Sequence, residues 1–184
     1  RNILTPTLIL FILMAITQNS NSASTTLYDF SEVNRPTGWM IVNDGVMGGL
    51  SKGNISLDDE GNGLFWGHVS LANNGGFSLA RLSLPTVSVE GKSKLVLELK
   101  GDKKKYQFRL KSRRGQMHSY VKTFQTHGDW ERVEIPFEEL MPKFRGRLLD
   151  LPVYAGDQIE EVGLLCGNKK EEDFKLAIRS ISVE

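Results

Sequence analysis

The chain has 184 residues, of which 40% are hydrophobic and 24% charged, a composition that fits one globular domain better than two. Its formal net charge of +1 gives no global reason to expect nucleic acid or an anionic membrane as a partner. The single cysteine, Cys166, excludes an internal disulfide. It lies in the apolar run VGLLCG, where we expect a small buried hydrophobic side chain rather than a nucleophile.

The N-terminal segment has the pattern of a secretory signal peptide. The apolar run LILFILMAI, from Leu8 to Ile16, follows Arg1 and precedes a polar stretch that ends in small residues. This run is shorter than the ~20 residues of a membrane-spanning helix, and one arginine is atypical of a mitochondrial presequence. We predict a signal peptide over residues 1–24 and a single mature domain over residues 25–184 without a transmembrane span. The protein is then secreted or periplasmic rather than mitochondrial, and an uncleaved N-terminal anchor is the alternative.

Beyond residue 24, apolar residues recur with a period of two, which is typical of β-strands. The clearest alternating segments are residues 95–99, 106–111, 132–135 and 174–178, and turn signals containing glycine separate them. No segment has apolar residues at helical spacing over three turns. The sequence therefore predicts an all-β chain folded as an antiparallel β-sandwich or jelly roll. One stretch, residues 138–158, is too long and too interrupted by proline and glycine for a hairpin, so we predict a long loop there.

The segment NDGVMGGLS, residues 43–51, is the first candidate binding loop. A phosphate site would need a helix directly after the glycines, and the sequence predicts none. Gly48 and Gly49 instead suit a tight bend, because glycine adopts positive φ and allows close backbone approach. The alternative is a loop in which Asp44 and exposed amides contact a partner or a sugar.

The segment NNGG, residues 73–76, is the second candidate loop. The side chains and amides of Asn73 and Asn74 are placed to hydrogen-bond sugar hydroxyls in one interpretation. In the other, the Asn-Gly pair forms an ordinary hairpin turn.

A basic cluster follows between Lys100 and Arg114, where eight basic residues stand against one acid, Asp102. It suits an acidic protein surface, an acidic polysaccharide or lipid head groups, and the alternative is a solvated hairpin. No aromatic residue interleaves on the outward face, so single-stranded nucleic acid is not expected. The candidate binding residues of this cluster are Lys103, Lys104, Lys105, Arg109 and Lys111.

Catalytic and metal-binding patterns are lacking. The three histidines have no zinc-site spacing, and the nucleophile motif G-x-S-x-G is absent. We therefore predict a non-enzymatic protein without a cofactor and assign no metal site. A structural calcium held by Asp29, Glu32 or Asp58 is left open, because no loop of regularly spaced acids supports it.

Several blocks of the sequence resemble the complex I intermediate-associated protein 30 family. They are WMIVNDGVMGGLS, LFWGHVSLANNGGFSLAR, LKGDKKKYQFRL and DWERVEIPFEEL, followed by FRG, EEVGLLC and DFKLAIRSI, and they cover the chain from about Tyr28 to its end. The resemblance implies a galactose-binding-like jelly roll similar to certain carbohydrate-binding modules, and the eponymous members are mitochondrial chaperones for complex I assembly. It also implies a structural motif formed by Trp39, Gly45, Met47, Gly48, Gly49, Ser51, Gly76, Phe77, Gly101, Asp102 and Trp130.

Two functions follow as alternatives. The first is a protein-interaction or assembly module, as the resemblance implies, and the second is an extracellular carbohydrate-binding module. An exposed aromatic platform would favour the second. The candidates for it are Trp39, Trp66 and Trp130, of which we expect at least two to lie in the core.

Overall fold

The computed structural model describes residues 23–184, so the predicted signal peptide lies almost wholly outside the described residues. Within that range, short 3₁₀ helices span Phe30–Glu32, Asp44–Met47, Ala72–Asn74 and Phe137–Glu139, and none is long or apolar enough to cross a membrane. The strands are β1 (Thr25–Asp29), β2 (Trp39–Asn43), β3 (Lys52–Leu57), β4 (Gly63–Val69), β5 (Ser78–Ser88), β6 (Lys94–Lys100), β7 (Lys105–Lys111), β8 (Ser119–Gln125), β9 (Trp130–Pro136), β10 (Met141–Phe144), β11 (Arg147–Leu148), β12 (Gln158–Cys166) and β13 (Glu172–Val183).

The strands form two antiparallel sheets. The six-stranded sheet has the order β3-β4-β13-β6-β9, and β1 pairs with the second half of β13. The seven-stranded sheet has the order β11-β10-β8-β7-β12-β5-β2. The predicted all-β sandwich is confirmed, and each of the four alternating segments lies within a strand.

The core lies between the two sheets and is built from apolar residues at alternate positions of the strands. On β6 the alternate residues Leu95, Leu97 and Leu99 are fully buried, and on β7 Phe108 is fully buried as well. Phe65 of the six-stranded sheet packs on another phenylalanine with ring centroids 4.7 Å apart. Because strand side chains alternate, the remaining residues point away from the core and form the outer face of each sheet.

The prediction of a long loop over residues 138–158 is wrong in one respect. β10 and β11 form a two-residue hairpin within it, with β10 also paired to β8. Its turn residues, Arg145 and Gly146, have φ of 48° and 77°, the left-handed values that a type I′ turn requires. The sequence does not indicate this hairpin because proline weakens the alternating pattern of a strand. Pro142 is tolerated in β10 because this strand lies near the edge of the sheet.

Candidate functional site

Asp44, in the first glycine-rich loop, is only 6% exposed and its carboxylate accepts four hydrogen bonds. Oδ1 accepts from the amide of Ser51 at 3.1 Å, and Oδ2 accepts from the Ser51 hydroxyl. Oδ2 also accepts from the amides of Gly76 at 2.6 Å and Phe77 at 3.2 Å. Burial raises the pKa of Asp44, but these hydrogen bonds outweigh it and the pKa lies below its usual value. The carboxylate thus joins the two glycine-rich loops.

The glycines of the first loop allow this arrangement. Gly48 ends the 3₁₀ helix with φ of 83°, a conformation that favours glycine. A Cβ atom on Gly49 would overlap the carboxyl group of Asp44. Gly45 has open space at that position. The bend therefore requires positive φ at Gly48 and close approach of a carboxyl group at Gly49. The side chain of Met47 is not among the parts of the chain that the structure describes.

The second glycine-rich loop contacts the first through a side chain. Asn73 and Asn74 have φ of 54° and 60°, which asparagine tolerates better than most residues. The Asn73 amide Nδ2 donates to the carbonyl oxygen of Gly48 at 2.9 Å. This amide is used within the protein, whereas both asparagines remain exposed.

In the LKGDKKKYQFRL block, Asp102 accepts several hydrogen bonds, as Asp44 does in the first glycine-rich loop. Its Oδ1 accepts from the buried hydroxyl of Tyr106 at 2.9 Å. Its Oδ2 accepts from Lys104 Nζ and from the amide of Lys175, each at 2.9 Å. A Cβ atom on Gly101 would overlap a threonine side chain. Asp44 and Asp102 thus each connect neighbouring segments of the chain through hydrogen bonds.

The five candidate residues of the basic cluster do not share one surface. Lys104 binds the aspartate just described, and Lys103 is exposed in a turn with φ of 66°. Lys105, Arg109 and Lys111 alternate along β7 with buried residues and therefore lie on the outer face of the seven-stranded sheet.

Arg109 stands in a row of residues that runs across six strands of that sheet. Each member is paired with the next one across neighbouring strands, from β2 to β10. We call this set the arginine row, and its members are Met40, Arg81, Gly163, Arg109, Val121 and Met141. Gly163 separates the two arginines and carries no side chain. Met40 at one end is 57% exposed and Met141 at the other 36%.

The two arginines of the row are held in place. Arg109 is half-buried, and its Nη1 donates to Gln107 Oε1 at 3.2 Å. Burial lowers the pKa of the Arg109 guanidinium, partly opposed by the nearby Glu161. Arg81 Nε lies 3.8 Å from Glu161 Oε2. Sequence reasoning selected only Arg109 from this row, because the strand order that aligns the other members is not readable from one sequence.

The outer face of the seven-stranded sheet has no aromatic platform within the described strands. By strand alternation its residues are Met40, Val42, Leu79, Arg81, Ser83, Lys105, Gln107, Arg109, Lys111, Ser119, Val121, Thr123, Gln125, Met141, Lys143, Glu161, Gly163 and Leu165. The face is thus a mixture of methionine, aliphatic, hydroxyl and charged side chains.

The tryptophans are distributed differently from the sequence expectation. Only Trp39 packs against the core, stacked on Phe30 with centroids 5.6 Å apart. Trp66 is 43% exposed, and Trp130 lies under the guanidinium of Arg179 at 3.9 Å. The expectation that at least two tryptophans lie in the core is wrong, because Trp66 and Trp130 both lie at outward-facing positions of the six-stranded sheet.

Trp66 lines an open cleft of about 800 Å³ on the outer face of the six-stranded sheet. On its rim, His68 Nδ1 lies 2.8 Å from Asp173 Oδ1. Hydrogen bonds to Asp173 and Glu171 raise the pKa of His68. Other residues lining the cleft include Lys52, Asn54, Leu64, Asp102, Lys104 and Lys175.

In residues 23–184 there is no group of three or more His, Cys, Asp or Glu side chains arranged to hold a metal ion. The carboxylates of Asp29 and Asp58 accept from amides of their own turns. Cys166 is fully buried, as predicted, and burial raises the pKa of its thiol to about 12.

Comparison with known proteins identifies the family. The sequence profile described as complex I intermediate-associated protein 30 matches residues 28–178. The chain belongs to this family. No curated protein matches the sequence of this family member.

Solved structures similar to this member of the family include carbohydrate-binding modules. The family 11 module of cellulosomal cellulase Lic26A-Cel5E of Clostridium thermocellum has a TM-score of 0.61 at 18% identity, over 87% of this chain and 93% of the module. The same family 11 module in complex with a β-1,3-1,4-mixed-linked tetrasaccharide has a TM-score of 0.60 at 18% identity, over 87% and 94%. A variant of the family 29 module CBM29-2 has a TM-score of 0.54 at 10% identity, over 89% and 92%. At these identities the likeness establishes the shared β-sandwich fold.

Proposed function

We propose that the protein is a non-enzymatic binding domain that recognises a protein partner through the outer face of its seven-stranded sheet. The observation that carries this proposal is the arginine row. Arginine and methionine are enriched at protein–protein interfaces, and arginine is over-represented among the residues that dominate binding energy. Membership of a family described as complex I intermediate-associated supports an interaction or assembly role.

The row has features that suit a partner carrying carboxylate groups. The Arg109 guanidinium is half-buried and oriented by Gln107, so little side-chain entropy remains to be lost on binding. A guanidinium binds a carboxylate through two parallel hydrogen bonds. Gly163 carries no side chain between Arg81 and Arg109, and Leu79 Cδ1 would lie 2.9 Å from a Cβ atom placed there.

Carbohydrate binding is the second candidate, favoured by one observation. Trp66 exposes 43% of its surface in an open cleft on the opposite sheet, and the structural neighbours include a module bound to a tetrasaccharide. The outer face of the seven-stranded sheet offers no comparable aromatic residue within the described strands.

The two candidates are separated by one set of variants. Arg109→Glu should lose a protein captured in stoichiometric amounts from native extract, whereas Lys105→Glu, a matched charge reversal on the same face, should retain it. Melting temperatures should show that both variants fold. A captured protein that persists with Arg109→Glu would contradict the proposal. Binding on a glycan array that is lost in Trp66→Ala and kept in Arg109→Glu would favour the carbohydrate function.

The proposal includes export from the cytosol, on the basis of the signal-peptide pattern in residues 1–24. Expression of the chain with its own N-terminus should release a protein that begins near residue 25, as determined by N-terminal sequencing. Retention in the cytosol would contradict this part of the proposal.

A further inference from the structure

The sequence contains one Asn-x-Ser motif, Asn54-Ile55-Ser56, and no other asparagine is followed by serine or threonine two positions later. This motif is the acceptor for N-linked glycosylation when a chain enters the eukaryotic secretory pathway. A motif of three residues arises often by chance, so the surroundings of Asn54 decide whether the site is usable.

Asn54 lies where a glycan can be carried. It is exposed on β3, which is an edge strand of the six-stranded sheet. Its neighbour Ile55 packs against the core, so the Asn54 side chain points outward. Among the residues that the structure describes, no hydrogen bond engages the Asn54 side-chain amide, and its Nδ2 is therefore not committed to the fold.

Trp66 is paired directly with Asn54 across the β3–β4 ladder. Side chains directly opposite in antiparallel strands have Cβ atoms about 4.5–5.5 Å apart. A sugar attached to Asn54 Nδ2 would therefore start beside the exposed indole. The C–H face of a pyranose ring is apolar, so packing on Trp66 would remove apolar surface of both groups from water.

The cleft around Trp66 suits an uncharged polar chain. Leu64 adds apolar surface beside the indole, and His68, Asp173 and Lys175 place hydrogen-bonding groups of both charges around it. Its volume of about 800 Å³ falls within the range of roughly 300–1,000 Å³ typical of small-ligand sites. A covalently attached glycan also protects the backbone of an edge strand from pairing with a second chain.

We propose that Asn54 is an N-glycosylation site and that the first sugars of the glycan pack on Trp66. The proposal rests on the export included in the proposed function. In the transfer, Asn54 Nδ2 forms a bond to the anomeric carbon of a lipid-pyrophosphate-linked oligosaccharide supplied by the secretory pathway. The bond from that carbon to the pyrophosphate oxygen breaks, the lipid pyrophosphate leaves with the bonding electrons, and Nδ2 releases one proton.

The modification is tested by secreting the full chain, with its own N-terminus, from eukaryotic cells and measuring intact mass before and after treatment with a peptide-N-glycosidase. Wild type and Ser56→Thr, which keeps the motif, should each lose the mass of one glycan on treatment. Asn54→Gln and Ser56→Ala should show no change. The pair of substitutions at position 56 separates loss of the motif from a general effect on folding.

Two results would overturn the site, and they are distinguishable. A wild-type protein that reaches the medium at its polypeptide mass contradicts glycosylation while leaving export intact. A wild-type protein that stays unglycosylated in the cytosol contradicts both export and glycosylation.

The contact with Trp66 is tested by acrylamide quenching of tryptophan fluorescence. Enzymatic removal of the glycan from wild type should increase quenching, because Trp66 then faces water. In Trp66→Phe, which retains an aromatic ring but no indole at this position, glycan removal should leave the quenching of the remaining tryptophans unchanged. Equal quenching of glycosylated and deglycosylated wild type would show that the glycan does not cover Trp66.

Discussion

Replacing Asp44 with alanine should be among the most damaging single substitutions in the protein. It removes the acceptor of three backbone amides, those of Ser51, Gly76 and Phe77, in a buried position. The Ser51 hydroxyl retains a partner, the carbonyl oxygen of Ser70 at 3.3 Å. An unsatisfied buried donor costs about 1–3 kcal/mol, and the three are not additive because some will reach water. We expect a loss of about 3–5 kcal/mol in the free energy of unfolding.

Asp44→Asn is the matched control, since one side-chain oxygen remains as an acceptor. We expect it to cost about 1–2 kcal/mol. Urea denaturation gives both values from the midpoint and the slope of the transition. If the free energy of unfolding of Asp44→Ala lies within about 1 kcal/mol of wild type, with an unchanged slope, Asp44 does not hold the two loops together.

The ionisation of Asp44 adds a pH dependence to this comparison. The pKa of Asp44 is lowered in the folded protein from an ordinary value of 3.8, so the ionised carboxylate stabilises the fold. That stability is fully present above pH 3.8 and is lost as the pH falls through the lower folded pKa. The difference in stability between wild type and Asp44→Asn should therefore shrink in acid.

Three further predictions concern single positions. Gly49→Ala should cost about 1–3 kcal/mol in urea denaturation, because its methyl group overlaps a buried carboxyl group, whereas Gly45→Ala should be nearly neutral; equal stabilities would contradict the close-approach explanation. Asp102→Ala should cost about 2–3 kcal/mol by leaving a buried tyrosine hydroxyl without its acceptor, and Lys105→Ala is the control that should stay near wild type. Cys166 should resist a maleimide until the protein unfolds in urea, since its thiol is buried with a pKa of about 12; labelling under native conditions would contradict its burial.

The fold was largely predictable because several of its strands alternate clearly between buried and outward residues. Segments such as residues 106–111 bury every second side chain, and this period appears in the sequence without knowledge of the partner strands. The hairpin between β10 and β11 was missed because Pro142 interrupts the alternation, although Arg145-Gly146 is its turn. The expectation for the tryptophans fails because burial with a paired N–H is the common case for this residue, whereas strand alternation in β4 and β9 places Trp66 and Trp130 outward.

The site was less predictable because it depends on contacts between distant segments. Asp44 accepts from Phe77, 33 positions away, and a single sequence does not show which loop meets which. The arginine row requires the order of six strands and their register. The motif at Asn54 was readable from the sequence, but its pairing with Trp66 was not.

Recognition of a protein partner by the outer face of the seven-stranded sheet is tested most directly by site-specific photo-crosslinking in the native cells. A photoreactive residue at Thr123, exposed beside the arginine row on that face, is compared with one at Glu98, exposed on the opposite sheet. We expect one partner to crosslink from position 123 and none from position 98, and the crosslink should disappear with Arg109→Glu. A partner that crosslinks from position 98 alone, or from position 123 regardless of Arg109→Glu, would contradict recognition by the arginine row.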